Sequence, residues 1–238
     1  MVAGLFFYVF NEWGLGLRPS GGRGGEAPRL FAQRRTLLYA RAMTRLAELS
    51  RKTSETDIFL RIDLDGSGKT DIETGVGYLD HMLTAFGRHG LFDLTVHAKG
   101  DLHIDAHHTV EDCGILLGQA LSHALGDKRG IQRFGHALVP MDETLVEAAI
   151  DLSGRNFVVW NVNFERPMLG QMDTQLIEEF FRALAGNGLF NLHVNQRAGH
   201  NAHHVAEACF KSVARALRAA VAFEPRIAGQ IPSTKGAL

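Results

Sequence analysis

The chain has 238 residues, and its 25 basic and 26 acidic side chains leave a formal net charge of −1. That balance argues against nucleic-acid binding as the main role, because such proteins usually present a basic face. No apolar run approaches the roughly 20 residues of a membrane span, and two cysteines are too few for a disulfide framework. We therefore expect a globular protein of a reducing compartment, the cytoplasm, with neither a membrane nor a nucleic acid as partner.

Residues 1–50 differ in composition from the rest of the chain. Six glycines fall between positions 14 and 25, together with Pro19 and Ser20, which is typical of a flexible linker. We therefore expect residues 1–50 to be an extension of low order. Met43 is the expected start of the natural protein, because organised sequence begins soon after it.

The first half of the organised sequence, residues 51–130, shows alternating and helical patterns in turn. Asp65-Gly66-Ser67-Gly68 is a turn between two of the expected strands. In chain order, the predicted elements are a strand over 58–64, a strand over 69–74, a helix over 78–88, a strand over 91–98 and a helix over 107–125.

The second half, residues 131–238, repeats this order. Its predicted elements are strands over 145–152 and 157–164, a helix over 173–185, a strand over 189–194 and a helix over 201–222. Two segments also match almost literally: Gly90-Leu91-Phe92 with Gly188-Leu189-Phe190, and Ala106-His107-His108 with Ala202-His203-His204. An internal duplication of a ββαβα unit explains all of these matches with one assumption.

The chain has 12 histidines, and two pairs of them open the two long helices in His-His-x-x-Glu boxes. Residues i and i+4 share one helix face, so His107 can bind an ion together with Glu111, as can His203 with Glu207. The second imidazole of each pair points about 100° away and faces a different ion. Imidazole and carboxylate ligands suit manganese, iron, nickel or zinc, and octahedral geometry would favour manganese.

Further candidates follow from the duplication and from charge. A shift of 98 residues places Glu179 opposite His81, and both side chains can bind a metal. Arg133, Arg155, Lys211 and the tail Ser233-Thr234-Lys235-Gly236 combine cations, a hydroxyl and backbone amides, which suits a phosphate group. No role is assigned to Asp142, Glu143 and Asp151, because surface charges at strand ends explain them equally well.

From about residue 51 to the C-terminus, the chain resembles the imidazoleglycerol-phosphate dehydratase family. The matching motifs follow one another in family order, and as a set they are highly specific. They are Asp80-His81-Met82-Leu83, Arg88-His89-Gly90, His107-His108-Thr109-Val110-Glu111-Asp112, Pro140-Met141-Asp142-Glu143, Asp151-Leu152-Ser153-Gly154-Arg155, His203-His204 with Glu207, and Pro232-Ser233-Thr234-Lys235-Gly236.

The resemblance implies an enzyme of L-histidine biosynthesis that dehydrates D-erythro-imidazoleglycerol phosphate to imidazole-acetol phosphate. It implies an α+β fold of duplicated units, in which two four-stranded sheets flank a helix bundle, as in ribosomal protein S5 domain 2-like folds. It also implies self-association into trimers and a particle of 24 subunits. The active sites would lie between subunits, with two Mn²⁺ ions in each.

The resemblance also implies roles for individual residues. The expected metal ligands are His81, His107, His108, Glu111, Glu179, His203, His204 and Glu207, with Glu179 at a position where the family commonly has histidine. The expected substrate-binding residues are Glu55, His81, His89, His107, His108, Glu111, Arg133, Arg155, Lys211, Ser233 and Lys235. Glu55 is the expected acid or base of catalysis, with His89 or a metal-bound water as its partner.

Two other classes of function fit part of the same pattern. A dinuclear metallohydrolase of a phosphorylated small molecule could use the same ligands to activate water, although the His-Glu-x-x-His signature of zinc peptidases is absent. A non-catalytic metal-binding assembly protein would leave the Ser-Thr-Lys-Gly tail and the pair Arg133 and Arg155 unexplained. The sequence therefore favours the dehydratase.

Overall fold

The computed structural model describes residues 45–238, which fold into ten strands, four α-helices and one short 3-10 helix. The elements of the first half are β1 (Leu46–Lys52), β2 (Thr56–Asp63), β3 (Thr70–Glu73), α1 (Gly77–Gly90), β4 (Asp93–Gly100) and α2 (His107–Leu125). Those of the second half are β5 (Phe134–Met141), β6 (Thr144–Asp151), β7 (Phe157–Asn161), β8 (Met168–Leu169), β9 (Met172–Asp173), α3 (Gln175–Gly188), β10 (Asn191–Ala198), α4 (Ala202–Val221) and the 3-10 helix Pro225–Ile227.

The two halves form two four-stranded sheets with the same topology. The strand order is β1-β2-β4-β3 in the first sheet and β5-β6-β10-β7 in the second. In each sheet the last pair is parallel and the other pairs are antiparallel. Only the hairpin β8–β9 has no counterpart in the described part of the first half. The predicted duplication and the predicted α+β architecture are both confirmed.

Each unit begins with one strand more than the sequence patterns predicted. In β5 the side chains that face the core are small, as at Gly135, whereas Phe134 and Leu138 point outward and are exposed. The usual hydrophobic alternation is therefore reversed, which hid the strand. Gly135 is small because α4 lies close: the Cβ of an alanine there would be 2.0 Å from the carbonyl oxygen of Ala216.

The other unpredicted strand, β1, corrects the N-terminal boundary. The sequence assigned residues 1–50 to the extension, but β1 begins at Leu46 and pairs along its whole length with β2. In β1, Ala47 is the one fully buried residue, so its apolar signal is weak. The rest of the predicted extension, including the expected start at Met43, lies outside the described residues.

Four helices fill the space between the sheets, and they pair across the duplication. Helix α2 packs on the first sheet and on α3 of the other half, while α4 packs on the second sheet and on α1. The buried core is continuous through both halves, with six phenylalanines among its largest fully buried side chains: Phe86, Phe92, Phe180, Phe181, Phe190 and Phe210. The halves are therefore one folding unit. None of the helices within residues 45–238 combines the length and the hydropathy of a membrane span.

The literal repeat Gly-Leu-Phe ends α1 and α3 in the same way. Leu91 and Leu189 adopt left-handed φ angles of 57° and 53° and stop their helices. The following Phe92 then returns its ring to the core against Gly90, where an alanine Cβ would lie 2.4 Å from it. The sequence identity of the two segments thus reflects one packing requirement that occurs twice.

The tightest helix contact predicts a stability effect. An alanine Cβ at Gly118 in α2 would lie 2.5 Å from the carbonyl oxygen of Leu184 in α3 and 2.8 Å from the amide nitrogen of Gly188. Because these are backbone atoms, we expect Gly118→Ala to lower the free energy of unfolding by about 1–3 kcal/mol. Urea denaturation followed by circular dichroism measures the change.

Gly186 provides the matched control, since it lies in α3 and its Cβ would have only the Asn156 amide within 4 Å, at 3.8 Å. Gly186→Ala should leave stability unchanged or raise it by up to about 1 kcal/mol. Equal stability of the two variants would contradict the proposed close contact of α2 and α3.

Candidate active site

The pairing of α1 with α4 brings three of the predicted ligands together. His81 Nε2 and His203 Nε2 each lie 3.2 Å from Glu207 Oε2. Within residues 45–238 this is the one group of three or more histidine, cysteine or acidic side chains whose candidate ligand atoms all lie within 4.8 Å of one another. Two imidazole nitrogens and a carboxylate oxygen form a donor set that suits a divalent transition metal.

The carboxylate of this cluster is held by a further cation. Lys211 Nζ lies 2.6 Å from Glu207 Oε1, one helical turn along α4. Burial raises the pKa of Glu207, but Lys211 and His81 together bring that pKa below its usual value, so the group is ionised. The structure thus places Lys211 at the histidine cluster, whereas the resemblance implied a phosphate contact for it.

Helices α2 and α3 are the pseudosymmetric counterpart of the pair α4 and α1, and they also bring predicted ligands of the two halves together. His107 and Glu179 line one cavity of about 370 Å³, which the hairpin β8–β9 borders through Met168. Glu111 follows His107 by one helical turn on α2. His107 and Glu179 therefore share one cavity across the duplication, as His81 and His203 share one cluster.

The second histidine of each box turns toward a different set of acids. His108 Nδ1 lies 3.0 Å from Asp101 Oδ2, and its Nε2 lies 3.8 Å from Glu55 Oε1. His204 Nδ1 lies 2.8 Å from Glu143 Oε2. The hydrogen bonds to Asp101 and to Glu143 raise the pKa of the respective imidazoles. The described chain therefore does not bring His108 and His204 into the tight cluster.

Glu143, to which the sequence patterns assigned no role, contacts the His204 imidazole. It precedes Thr144 at the start of β6, just as Glu55 precedes Thr56 at the start of β2, and both threonines are buried. A shift of 88 residues relates the two Glu-Thr pairs, whereas shifts of 96 and 98 relate the helix motifs. Extending the duplication to the strand hairpins would have revealed the match.

A buried ionic network links Glu55 to the helix that bears His108. Asp112 of α2 accepts a hydrogen bond from Arg51 Nε at 2.8 Å and another from the Thr56 hydroxyl at 2.5 Å. Arg51 and Thr56 flank the β1–β2 turn, which carries Glu55. Because Asp112 is almost fully buried, this network fixes the turn relative to α2.

His89, the expected partner of Glu55, does not lie beside Glu55 in the structure. It is two helical turns beyond His81 on α1, and burial followed by the charges of Lys211 and Arg215 lowers its pKa. No hydrogen bond or ion pair joins His89 to Glu55 among the residues that the structure describes. Because its pKa is lowered, the imidazole is neutral near physiological pH. His89 lies on the side of the bundle that carries Lys211.

The C-terminal tail folds back to form a basic cavity of about 290 Å³. Four of the predicted phosphate ligands line it: Arg133, Arg155, Ser233 and Lys235. Arg133 has a left-handed φ of 69° and donates to the carbonyl of Pro232 at 2.9 Å and to Asp151 at 2.7 Å, so it anchors the tail. Arg155 is exposed and directs no such bond to the tail, which leaves it available to an anion.

The chain was compared with known proteins. The family model described as imidazoleglycerol-phosphate dehydratase matches residues 74–217. The imidazoleglycerol-phosphate dehydratase of Acidiphilium cryptum is 69% identical over 196 residues, which are 82% of this chain and 100% of the relative. That of Granulibacter bethesdensis is 67% identical over 196 residues, with the same coverage of 82% and 100%.

Solved structures show the same fold. The imidazoleglycerol-phosphate dehydratase of Staphylococcus aureus matches with a TM-score of 0.69 and 37% identity, over 75% of this chain and 99% of that chain. The structure of IGPD from Pyrococcus furiosus in complex with (S)-C348 matches with a TM-score of 0.70 and 38% identity, over 80% and 100%. These relatives decide between the three functional classes that fit the sequence. The chain belongs to the imidazoleglycerol-phosphate dehydratase family, and it is a hydro-lyase that dehydrates imidazoleglycerol phosphate in histidine biosynthesis.

Proposed function

We propose that the dehydration uses two Mn²⁺ ions in each active site. The cluster of His81, His203 and Glu207, with its donor atoms within 4.8 Å of one another, is the observation that supports this most directly. The eight proposed ligands supply imidazole nitrogen and carboxylate oxygen only. Cys113 and Cys209 are fully buried in the core, and burial raises the pKa of the Cys113 thiol to about 12. The absence of thiolate argues against soft metals such as Cu⁺, and the carboxylate ligands suit manganese.

We assign the eight ligands to two ions by helix geometry. One ion takes His107 and Glu111 from one box, with His204 and Glu179. The other takes His203 and Glu207, with His108 and His81. Each pair at i and i+4 converges on one point, while the adjacent imidazole diverges from it. The contact of His81 with Glu207 and the cavity that His107 shares with Glu179 support this division.

The reaction removes a weakly acidic hydrogen from a carbon that is attached to the imidazole ring. Bound ions would supply Lewis-acid stabilisation of the negative charge that develops on the ring. Glu55 is exposed on the β1–β2 turn, 3.8 Å from His108, and its Oε1 takes the proton. The neutral imidazole of His89 donates a hydrogen bond from its N–H to the hydroxyl group as the C–O bond of the neighbouring carbon breaks. The proton that Glu55 took returns through solvent to the departing hydroxide, so that one water molecule is released.

The phosphate group of the substrate binds in the tail cavity in this proposal. Arg155 and Lys235 neutralise its charge, while the Ser233 hydroxyl donates a hydrogen bond. Arg133 already pairs with Asp151 and holds the tail in place. Lys211, in contrast, forms an ion pair with Glu207. It could bind the phosphate group only if its ammonium reached the anion from that position.

We further propose that the chain assembles into trimers and a particle of 24 subunits in the cytoplasm. The separation of His108 and His204 from the tight cluster supports active sites between subunits, because a neighbouring chain would complete each ligand set. The outer face of the second sheet also exposes Phe134, Leu138 and Phe157, each more than half exposed. Burial of these large apolar side chains against a neighbouring chain would stabilise the assembly. The two buried, unpaired cysteines suit a reducing compartment.

Chelation tests the metal requirement and the assembly together. Removal of metal with excess chelator should abolish turnover of imidazoleglycerol phosphate and reduce the particle to trimers or smaller species by light scattering. Added Mn²⁺ should restore both, without release of inorganic phosphate. A particle that keeps its size after complete metal removal would contradict the role of metal in assembly, and phosphate release would instead indicate a hydrolase.

Single ligand changes test the division into two ions. We expect His107→Ala to weaken one ion and to leave the other bound, and His203→Ala to do the converse, since the two histidines belong to different sets. Both variants should lose turnover by orders of magnitude, because stabilisation of the negative charge on the ring would require both ions. Metal analysis of the purified variants makes the measurement. Loss of both ions in equal measure from each variant would show that the assignment is wrong.

Arg155→Ala separates phosphate binding from metal binding. Loss of a hydrogen bond to a charged group costs about 1.5–3 kcal/mol. The KM for the substrate should therefore rise roughly 10- to 150-fold, while both ions remain bound. Steady-state kinetics and metal analysis of the same preparation measure these two effects. Arg61→Ala is the control, since Arg61 is an exposed arginine of β2 that pairs loosely with Glu48, and its KM should be unchanged.

A further inference from the structure

Glu143 contacts two different groups through its two carboxylate oxygens. Oε1 accepts hydrogen bonds from the backbone amides of Asn201 at 2.9 Å and His200 at 3.3 Å, and from the Thr144 hydroxyl at 3.0 Å. Oε2 lies 2.8 Å from His204 Nδ1. One carboxylate therefore connects the start of β6, the loop before α4 and the second imidazole of the box.

We propose that Glu143 is a positioning residue of the dehydratase, which keeps the proton of His204 on Nδ1 and so presents the lone pair of Nε2 to a metal ion. The proposal rests on the proposed role of His204 as a ligand. A histidine that binds metal through one nitrogen usually donates its other N–H to a carboxylate or carbonyl, and that partner fixes both the tautomer and the ring orientation.

The contacts of Glu143 also fix the helix that carries the ligands. Asn201 caps α4, since its side chain accepts hydrogen bonds from the amides of His203 and His204, and its own amide is one of those that Glu143 binds. A carboxylate is favoured beside the positive end of a helix. In agreement, the hydrogen bonds from His204 and Asn201 hold the pKa of Glu143 well below its usual range. Glu143 thus positions the whole box and not only one ring.

The equivalent residue in the first half, Glu55, is not used in this way. There the Nδ1 of His108 lies 3.0 Å from Asp101, so a different carboxylate orients the ring. Glu55 lies 3.8 Å from the other nitrogen of His108 and is half exposed. The same structural position therefore holds a carboxylate that can react in one half and a carboxylate that is fully engaged in the other.

Glu143→Gln replaces the acceptor that faces His204 Nδ1 with a donor. The amide oxygen of the glutamine stays on the Asn201 side, because turning the amide would set its NH₂ group against two backbone N–H groups. The NH₂ group then faces His204 Nδ1 and donates to it, which forces the proton of the imidazole onto Nε2. We expect a loss of affinity of about 10- to 100-fold for one Mn²⁺ ion, with the other ion unaffected.

Two measurements test the proposal. In metal-free protein with ¹⁵N-labelled histidine, solid-state NMR in alkaline buffer reports the tautomers, and the difference between wild type and Glu143→Gln isolates His204. Chelator competition gives the affinity of each Mn²⁺ ion. The control is Glu147→Gln on β6, which removes a carboxylate from an exposed pair with Arg197 of β10 and should change neither readout. Circular dichroism verifies that both variants are folded.

The possible results distinguish the positioning role of Glu143 from the proposed two-ion site. A shift of one histidine from the Nδ1–H to the Nε2–H form, together with weaker binding of one ion, supports the positioning role. An unchanged tautomer, or wild-type affinity for both ions in Glu143→Gln, would overturn it. A wild-type protein that binds no Mn²⁺ would contradict the proposed two-ion site instead, and the tautomer measurement would still decide whether Glu143 orients His204.

Discussion

Packing of each short helix against the long helix of the other half is the constraint on which the site depends. Helix α1 carries His81 and α4 carries His203 and Glu207, and these side chains meet because the two helices lie in direct contact. The second pair, α2 and α3, comes close because Gly118 has no side chain at the contact. Neither half holds the cluster of His81, His203 and Glu207 by itself. The proposed metal sites would therefore form only when the bundle closes.

The sequence predicted those features that local periodicity encodes. The long helix α2 was predicted with its observed bounds, since its apolar stripe is continuous and Gly126 ends it. The duplication, the two His-His-x-x-Glu boxes and the group of cations and a hydroxyl near the C-terminus were also visible as patterns of residue type. The tail cavity brings Arg133, Arg155 and Lys235 together although about 100 residues separate the first from the last, and only their shared chemistry pointed to that.

Features that depend on contacts between distant segments could not be predicted in this way. Strand β5 was missed because α4 approaches it so closely that small residues face the core, which reverses the usual pattern at Gly135. Lys211 appeared as one more cation for phosphate, but its ammonium pairs with Glu207. Glu143 looked like a surface charge, but its carboxylate accepts hydrogen bonds from the amides of His200 and Asn201 and contacts the His204 imidazole. In each case a tertiary contact outweighs the local signal.

The divergence of Glu55 and Glu143 has a consequence for why the two units are joined in one polypeptide. If the units were separate copies of a single gene product, every change at this position would occur in both, and an orienting carboxylate could not become a reactive one without loss of the first role. A single chain that contains both units can inherit changes at the two positions independently. In the proposed mechanism, fusion would thus permit a pseudosymmetric metal framework to hold an asymmetric substrate, with proton transfer on one side of the ring and a fixed ligand on the other.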